Sequence, residues 1–368
     1  MSGAGLLRIG KGWALGLLAS ALVLTIGGCI DMVHLSAESF VVGIGIEQGA
    51  DGQMAVTVVD IPIVRSDGGG RDSASVSEQQ EQLVLVTSRG PSIAYCLRDI
   101  QSRFHNRFTL SKLQYVVFGQ RAASAGIKPY LDYFNRSSEV DQSVHLFTTR
   151  TEPALFLDQT AAKLQQFVMN TYSVDRTYSA SMLWQMARLA DNPLESGVLN
   201  EIGIDPRGHL ELVGERLLQR DQLRMAVPKD DSKLYNLLRG EDGNSLIVFA
   251  DDQRKLAFEV HESRRRIEYR PDEVRLHFRL KLWQLERPES AAHSAHADLE
   301  RQLAERLAAK LEEMLREGQR LGVDIVGVGE GFRRRGWDVS DWSQRLRRLD
   351  LSVEVKAKVL SGQGRTDR

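Results

Sequence analysis

A strict alternation of apolar and other residues in the last third of the chain constrains the fold most. Every second position is apolar in two long runs, which consist of Val274, Leu276, Phe278, Leu280 and Leu282, and of Leu351, Val353, Val355, Ala357 and Val359. A shorter run of the same kind contains Leu256, Phe258 and Val260. Side chains alternate across a β-strand, so each run predicts a strand with one buried and one solvent-facing side. The pattern predicts an antiparallel sheet.

A stripe of leucines lies between the two long runs. The leucines recur every fourth residue within a charged background, at Leu299, Leu303, Leu307, Leu311 and Leu315. This spacing predicts a long amphipathic helix that covers the apolar side of the sheet. A coiled-coil partner helix is the alternative, but a strict four-residue spacing drifts away from a heptad seam, which favours packing within the core.

The chain before this region divides into two further blocks. Residues 29–150 alternate strand-like and helix-like segments, including a helix that begins near Ser92 and carries Cys96 on its apolar face. Residues 151–250 are rich in helix-like segments at first and then contain short strands. We therefore predict an α+β or mixed α/β fold of three consecutive domains, in which helices pack on mixed or antiparallel sheets. The predicted domains are residues 29–150, 151–250 and 251–368, preceded by a signal peptide at 1–28.

The first 29 residues have the features of a lipoprotein leader. Arg8 and Lys11 precede an uncharged apolar run from Trp13 to Gly28, which is shorter than the roughly 20 residues that a membrane-spanning helix needs. The run ends in Ile-Gly-Gly followed by Cys29, the pattern of a bacterial lipobox. The thiol of Cys29 would become a diacylglycerol thioether, and cleavage would expose this residue for N-acylation by a chain such as palmitate. A signal anchor with an incidental cysteine is the alternative.

Composition and motifs exclude several classes of function. The formal charge of −1 argues against a protein that coats nucleic acid, and two cysteines are too few for a disulfide scaffold or a four-thiolate zinc site. The sequence lacks the phosphate-binding, zinc-protease and serine-hydrolase motifs. His293 and His296 could share a helix face, but a solvated helix start explains them better than a metal site. We therefore predict no enzyme activity, no metal and no cofactor.

One polar, glycine-rich segment follows the leucine stripe. It contains Asp324, Gly327, Gly329 and Glu330, and the basic run Arg333–Arg335 follows it. In a structural interpretation, the segment is a strand or bulged turn whose glycines let Asp324 or Glu330 cap the helix end. In a functional interpretation, it is a polar loop presented to a partner. We favour the structural interpretation.

Several segments, in order, resemble the Ger(x)C family of spore-germination lipoproteins. After Cys29, the residues Asp31 and Leu35 and the segment Gly43-Ile-Gly-Ile46 are similar to the mature N-terminus of that family. Ile30, His34 and Glu47 stand where the family usually has Trp, Glu and Asp. The resemblance continues through Leu83–Phe118 and returns at Asp324, Gly327, Gly329 and Glu330.

This resemblance implies a function in a membrane complex. Family members are the C subunits of nutrient germinant receptors. They act with a polytopic transporter-like subunit and a larger membrane subunit, on the outer face of the membrane that encloses the spore core. The resemblance thus implies a lipid-anchored subunit, held through Cys29, that is needed for receptor assembly or signalling. An extracytoplasmic solute-binding lipoprotein is the alternative, and a cell-wall hydrolase is a remote third.

Overall fold

Two β-sheets form the framework of the protein. The computed structural model describes residues 38–61, 83–104, 106–171, 181–241, 246–251, 254–285 and 296–360. The described strands of the first sheet are β1 (Glu38–Gln48), β2 (Met54–Ile61), β3 (Val84–Gly90), β4 (Arg107–Thr109), β5 (Tyr115–Gly119), β6 (His145–Thr149), β7 (Ser196–Ile204), β8 (Leu210–Gln219) and β9 (Gln222–Pro228). Those of the second sheet are β10 (Leu246–Asp251), β11 (Arg254–Tyr269), β12 (Glu273–Gln284) and β13 (Asp350–Leu360).

The first sheet is mixed. Its strand order is β3-β2-β1-β5-β6-β7-β8-β9, and β4 pairs with β1 beside this path. The central strands β1, β5, β6 and β7 run parallel to one another, while β2 and β3 on one side and β8 and β9 on the other pair antiparallel. This arrangement confirms the predicted mixture of sheets and helices.

Helices cover both faces of the first sheet. One face carries α1 (Ile93–Arg103), α2 (Gln120–Ala125), α3 (Lys128–Arg136) and α5 (Leu183–Ala190), and the other carries α4 (Pro153–Gln166). As predicted, Ser92 begins α1, because its hydroxyl accepts a hydrogen bond from the backbone N–H of Tyr95. Cys96 of α1 is fully buried, as its place in the apolar stripe predicted.

The predicted domain boundaries fall within the sheets. Strands β6 and β7, on either side of residue 150, pair in the first sheet. Residue 250 lies in β10, which pairs with β11 in the second sheet. The division of the chain at residues 150 and 250 stays a prediction.

The second sheet corrects one expectation. Strands β10, β11 and β12 pair antiparallel, as predicted, but β12 and β13 run parallel over their whole length. The antiparallel prediction was wrong for this pair because alternation reports which faces are buried and does not report strand direction. The long helix α7 (His296–Leu321) lies between the two strands in sequence and supplies the crossover that parallel neighbours require.

Helix α7 packs on the buried face of the second sheet, as the leucine stripe predicted. Leu303, Leu307, Leu311 and Leu315 are buried in one cluster with the alternating apolar residues of β12 and β13, and Leu299 is partly buried against it. Two glutamates of α7 also cover the edge strand β13. Glu300 accepts a hydrogen bond from the backbone N–H of Val359, and Glu312 accepts one from that of Val353.

The core of the second sheet continues into the end of the first. The same buried cluster includes Leu194 and Val198 around the start of β7, Leu217 of β8, and the helix α6 (Ser232–Arg239). Helix α6 ends at Gly240 in the left-handed conformation, which glycine adopts without strain. Two short helices, α8 (Val328–Arg334) and α9 (Trp342–Arg348), complete this layer and lie where the two sheets meet.

Candidate functional site

The carboxylate of Asp324 is the centre of the predicted site and is almost fully buried, with 2% of the residue exposed. Its Oδ1 atom accepts hydrogen bonds from the backbone N–H groups of Gly327 and Val328, at 2.9 and 3.0 Å. Its Oδ2 atom accepts from the backbone N–H of Gly329 at 2.8 Å and from the indole Nε1 of Trp342 at 3.1 Å. Asp324 therefore caps the first turn of α8, and not the end of the leucine helix.

Burial and hydrogen bonding act on this carboxylate in opposite directions. Removal from water raises the pKa of Asp324 to about 6, while the four hydrogen bonds favour the ionised form and lower it. Two glycines give the donors access to the carboxylate. Gly327 is left-handed with φ of 73°, and a Cβ atom on Gly329 would lie 2.7 Å from Cε2 of Trp342.

Glu330 of α8 is also nearly buried. Its Oε1 atom accepts a hydrogen bond from Nδ2 of Asn192 at 3.1 Å, and its Oε2 atom accepts two from the guanidinium of Arg333 at 3.0 and 2.7 Å. Burial acts to raise the pKa of Glu330, but the bonds from Arg333 and Asn192 outweigh it and hold this pKa below its usual value. Glu330 is therefore a buried carboxylate paired with an arginine whose side chain is exposed.

The Asp324–Glu330 segment binds the region around the start of β7. The backbone carbonyl of Asp324 accepts a hydrogen bond from Ser196 Oγ at 3.0 Å, and its N–H donates to Gln219 Oε1 at 3.1 Å. The amide of Gln219 in turn donates to the carbonyl of Pro193 at 2.7 Å. With the Asn192–Glu330 bond, these contacts join the two sheets, and we call this set of residues the junction.

An aromatic cluster supports the junction from the side of the second sheet. Phe332 is fully buried, with its ring centroid 4.9 Å from that of Trp337 and 5.4 Å from that of Trp342. The guanidinium of Arg335 lies over the ring of Tyr269, 3.9 Å from its centroid. Asp324, Gly329 and Glu330 are thus held inside the protein, in a turn followed by a helix. Of the two predicted forms, a strand or a bulged turn, the segment adopts a turn, and the helix α8 that follows it was not predicted.

A polar cleft of about 470 Å³ opens beside the junction. Its lining includes Trp342 and Gln219 of the junction, the β8–β9 turn at Arg220 and Asp221, and Arg347 of α9. Arg220 has φ of 59°, in the left-handed region that a non-glycine residue seldom adopts. The lining offers hydrogen-bonding and charged groups of both signs.

A second crevice, of about 190 Å³, lies at the carboxyl ends of β5 and β6. The chain leaves β5 for α2 on one face of the sheet and leaves β6 for α4 on the opposite face, and such a divergence opens a crevice in open α/β sheets. In the crevice lining, the buried carboxylate of Glu201 accepts hydrogen bonds from Arg150 Nε at 2.5 Å and from Arg216 Nε at 2.7 Å. This pairing leaves a net positive charge at the crevice.

The remaining candidates from the sequence concern lipid attachment, metal binding and membrane insertion. Cys29, on which the lipid prediction depends, and His293 lie outside the described residues. Among the residues that are described, no group of three or more His, Cys, Asp or Glu side chains is arranged to hold a metal ion. No helix in the described part of the chain is long and apolar enough to cross a bilayer.

Sequence reasoning found the centre of the junction and missed its partners. Asn192, Ser196 and Gln219 are polar residues beside or at the ends of α5, β7 and β8, and nothing in their local pattern links them to Asp324. Glu201 and Arg216 gave a weak indication of the polar crevice, because each places a charge in a strand that is otherwise largely apolar. Trp342 donates its indole N–H to Asp324, a contact that no local feature of the sequence indicates.

The fold and the junction define a two-sheet α+β protein whose halves are joined around a buried acidic turn. Residues 31–202 match the family profile described as the spore germination protein N-terminal domain. Residues 216–362 match the profile described as spore germination B3/GerAC-like, C-terminal. The chain belongs to the Ger(x)C family of spore germination proteins, as its resemblance predicted.

A solved structure supports the fold. The structure titled "Crystal Structure of the GerBC protein" superposes on this chain with a TM-score of 0.55, at 14% sequence identity. The superposition covers 90% of this chain and 100% of that chain. No curated protein sequence matches the chain.

Proposed function

We propose that this chain is the lipid-anchored subunit of a spore nutrient germinant receptor, required for receptor assembly or signalling. In this proposal Cys29 carries a diacylglycerol thioether and an N-acyl chain, which hold the folded body on the outer face of the inner spore membrane. Its partners there are a polytopic transporter-like subunit and a larger membrane subunit. The role involves no catalysis by this chain.

The observation that carries the proposal is the family match on both halves of the chain. The first match begins at residue 31, two residues after the cysteine of the lipobox. The folded family domain would thus begin almost directly at the lipidated residue. Each buried methylene of an acyl chain contributes about 0.8 kcal/mol to membrane binding, so several acyl chains on one residue would anchor the body without a polybasic segment.

The anchor is tested by Cys29→Ala in the native host, with Cys96→Ser as the matched cysteine control. We expect Cys29→Ala to abolish lipid attachment, measured by mass spectrometry of the mature protein, and to impair germination in response to nutrients. Cys96→Ser removes the buried thiol, far from the anchor in the sequence, and should keep the lipid. Cys29 without lipid in the native protein, or normal germination of Cys29→Ala spores, would contradict the proposed anchoring.

The receptor role is tested separately from the anchor. Purification of the lipidated chain from dormant spores should recover the two membrane subunits in constant proportion. Recovery of the chain alone, under detergent conditions that preserve other membrane complexes, would contradict a role in assembly.

The crevice at the carboxyl ends of β5 and β6 favours the solute-binding alternative. Its volume of about 190 Å³ suits a small molecule, and Arg150, Arg216 and Arg224 lie in its lining. A ligand present at a hundredfold excess over its dissociation constant would stabilise the chain by about 2.7 kcal/mol. A rise in melting temperature with one amino acid or sugar, lost in Arg216→Gln, would favour solute binding. No rise with any nutrient would favour the assembly role.

A further inference from the structure

The solvent-facing side of the second sheet carries a dense block of cations. In the strand register, Arg264 of β11 pairs with Arg279 of β12, and Arg279 pairs with Lys356 of β13. In the next row on the same face, Lys281 pairs with Lys358. Three cations therefore stand directly side by side across three strands, with two more beside them.

Like charges directly opposite one another destabilise a sheet. The nearby carboxylates neutralise only part of the block. Glu262 pairs with Arg264 at 2.6 Å and with Lys281 at 2.5 Å, and Glu354 pairs with Lys356 at 3.3 Å. Neither Arg279 nor Lys358 has an ion-pair partner among the described residues, and both are exposed.

The block forms a shallow, strongly positive groove. A space of about 320 Å³ is lined by Arg264, Arg279, Lys281, Lys356 and Lys358, together with one carboxylate, that of Glu262, and with Leu280 and Ala357. The whole chain has a formal charge of −1, so this local excess is not a consequence of a basic composition. The groove is suited to anionic groups.

Apolar side chains continue the same face at one end of the strands. Val248 of β10 pairs with Ala257 of β11, whose carbonyl accepts a hydrogen bond from the N–H of Leu285. Val248 and Leu285 are 57% and 47% exposed. In the neighbouring row, the ring of Trp283 stacks on that of His261 with centroids 4.2 Å apart.

We propose that this face of the second sheet, which we call the basic face, docks on a membrane surface that contains anionic phospholipids. Lysine and arginine contact negatively charged headgroups, while exposed aliphatic and indole side chains enter the interfacial region. The cations and the apolar residues occupy neighbouring rows of one extended sheet surface, so both can meet a planar bilayer together. The proposal rests on the membrane location of the proposed function and adds a second contact to the lipid anchor.

The test measures binding of the full-length chain to two kinds of vesicle, phosphatidylcholine alone and phosphatidylcholine mixed with phosphatidylglycerol. An acyl anchor or apolar leader inserts into both kinds, so the preference for anionic vesicles isolates the basic face. We expect a clear preference that is lost as the salt concentration rises. Each cation near an anionic surface contributes about a fivefold factor, so Arg279→Gln with Lys358→Gln should weaken the preference about 25-fold.

The matched control removes two exposed cations elsewhere, with Lys112→Gln before β5 and Arg136→Gln at the end of α3. This control should keep the anionic preference of the wild type. The Arg279/Lys358 variant should have an unchanged or higher melting temperature, because like-charge repulsion in the sheet is relieved. Its weaker preference for anionic vesicles would therefore not reflect unfolding.

Two results would overturn the proposal. One is equal binding of the wild-type chain to both kinds of vesicle; if the Arg279/Lys358 variant then also fails to retain the other receptor subunits, the face belongs to an acidic protein. The other is an equal loss of anionic preference in the control variant. Neither depends on lipid at Cys29, so a failure of the anchor remains distinguishable from a failure of the basic face.

Discussion

Replacing Asp324 by asparagine tests whether the junction is a structural joint. Asparagine has nearly the same shape, but its amide has one acceptor oxygen where aspartate has two. If that oxygen keeps the bonds from Gly327 and Val328, the NH₂ group faces the N–H of Gly329 and the indole N–H of Trp342. The opposite amide orientation leaves the other two donors without an acceptor.

The expected loss of stability follows from these two donors. A buried donor without a partner costs about 1–3 kcal/mol, so the two donors together cost about 2–6 kcal/mol. The wild-type carboxylate is ionised at pH 8, since the pKa of Asp324 is about 6, and holding it ionised in the buried site costs the native state about 3 kcal/mol that asparagine avoids. The net fall in the free energy of unfolding should therefore be about 1–3 kcal/mol at pH 8, out of the total of about 5–15 kcal/mol for a domain.

Urea unfolding measures this difference, provided that both proteins show the same denaturant slope. Asp338→Asn is the matched control. Asp338 accepts a hydrogen bond from the backbone N–H of Ser340 in an exposed turn, so water replaces any bond that is lost there. The free energy of unfolding of Asp338→Asn should lie less than about 0.5 kcal/mol below that of the wild type. An equally small loss for Asp324→Asn would refute the idea that the buried carboxylate organises the junction.

Two further predictions concern the same core and the first sheet. Gly329→Ala should lower the free energy of unfolding by about 1–3 kcal/mol, because the added Cβ would lie 2.7 Å from Trp342 and 3.0 Å from Leu194. An unchanged midpoint of urea unfolding would contradict this prediction, because it would show that the junction tolerates a side chain there. Asp60 is buried, and desolvation raises its pKa to about 6, although Ser39 and the backbone of Ile61 act to lower it. Between about pH 4 and pH 6 the carboxyl group of Asp60 therefore keeps its proton in the native state, whereas the unfolded chain, with an ordinary aspartate pKa, has released it. The contribution of Asp60 to stability consequently falls as the pH rises through this range. Asp60→Asn removes this titration, so its melting temperature relative to wild type should rise between pH 4 and pH 7.5; a constant difference across that range would contradict the assigned pKa.

The local pattern of the chain predicted three strands and the long helix of the second sheet and one helix of the first sheet. Period-two alternation located β11, β12 and β13, and the four-residue leucine spacing located α7 and the face that it buries. A capping residue located the start of α1 at Ser92. These features depend on residues that are close in sequence, and their geometry follows from backbone periodicity.

The partners of the junction could not be predicted in this way. Asp324 and Ser196 are separated by 128 positions and Glu330 and Asn192 by 138, and their contacts exist only when both sheets are in place. The segment itself was found because an aspartate followed by spaced glycines and a glutamate is an uncommon local pattern.

The sequence by itself determined the positions of β11, β12, β13, α1 and α7, the buried faces of these elements, and the family to which the chain belongs, because periodicity, caps and motif order are written along the backbone. The tertiary structure decided the parallel pairing of β12 with β13, the burial of Asp324 at the junction, and the assembly of the basic face. Each of these depends on which distant strands become neighbours. That choice is made by the packing of the whole core and leaves no trace in any single segment.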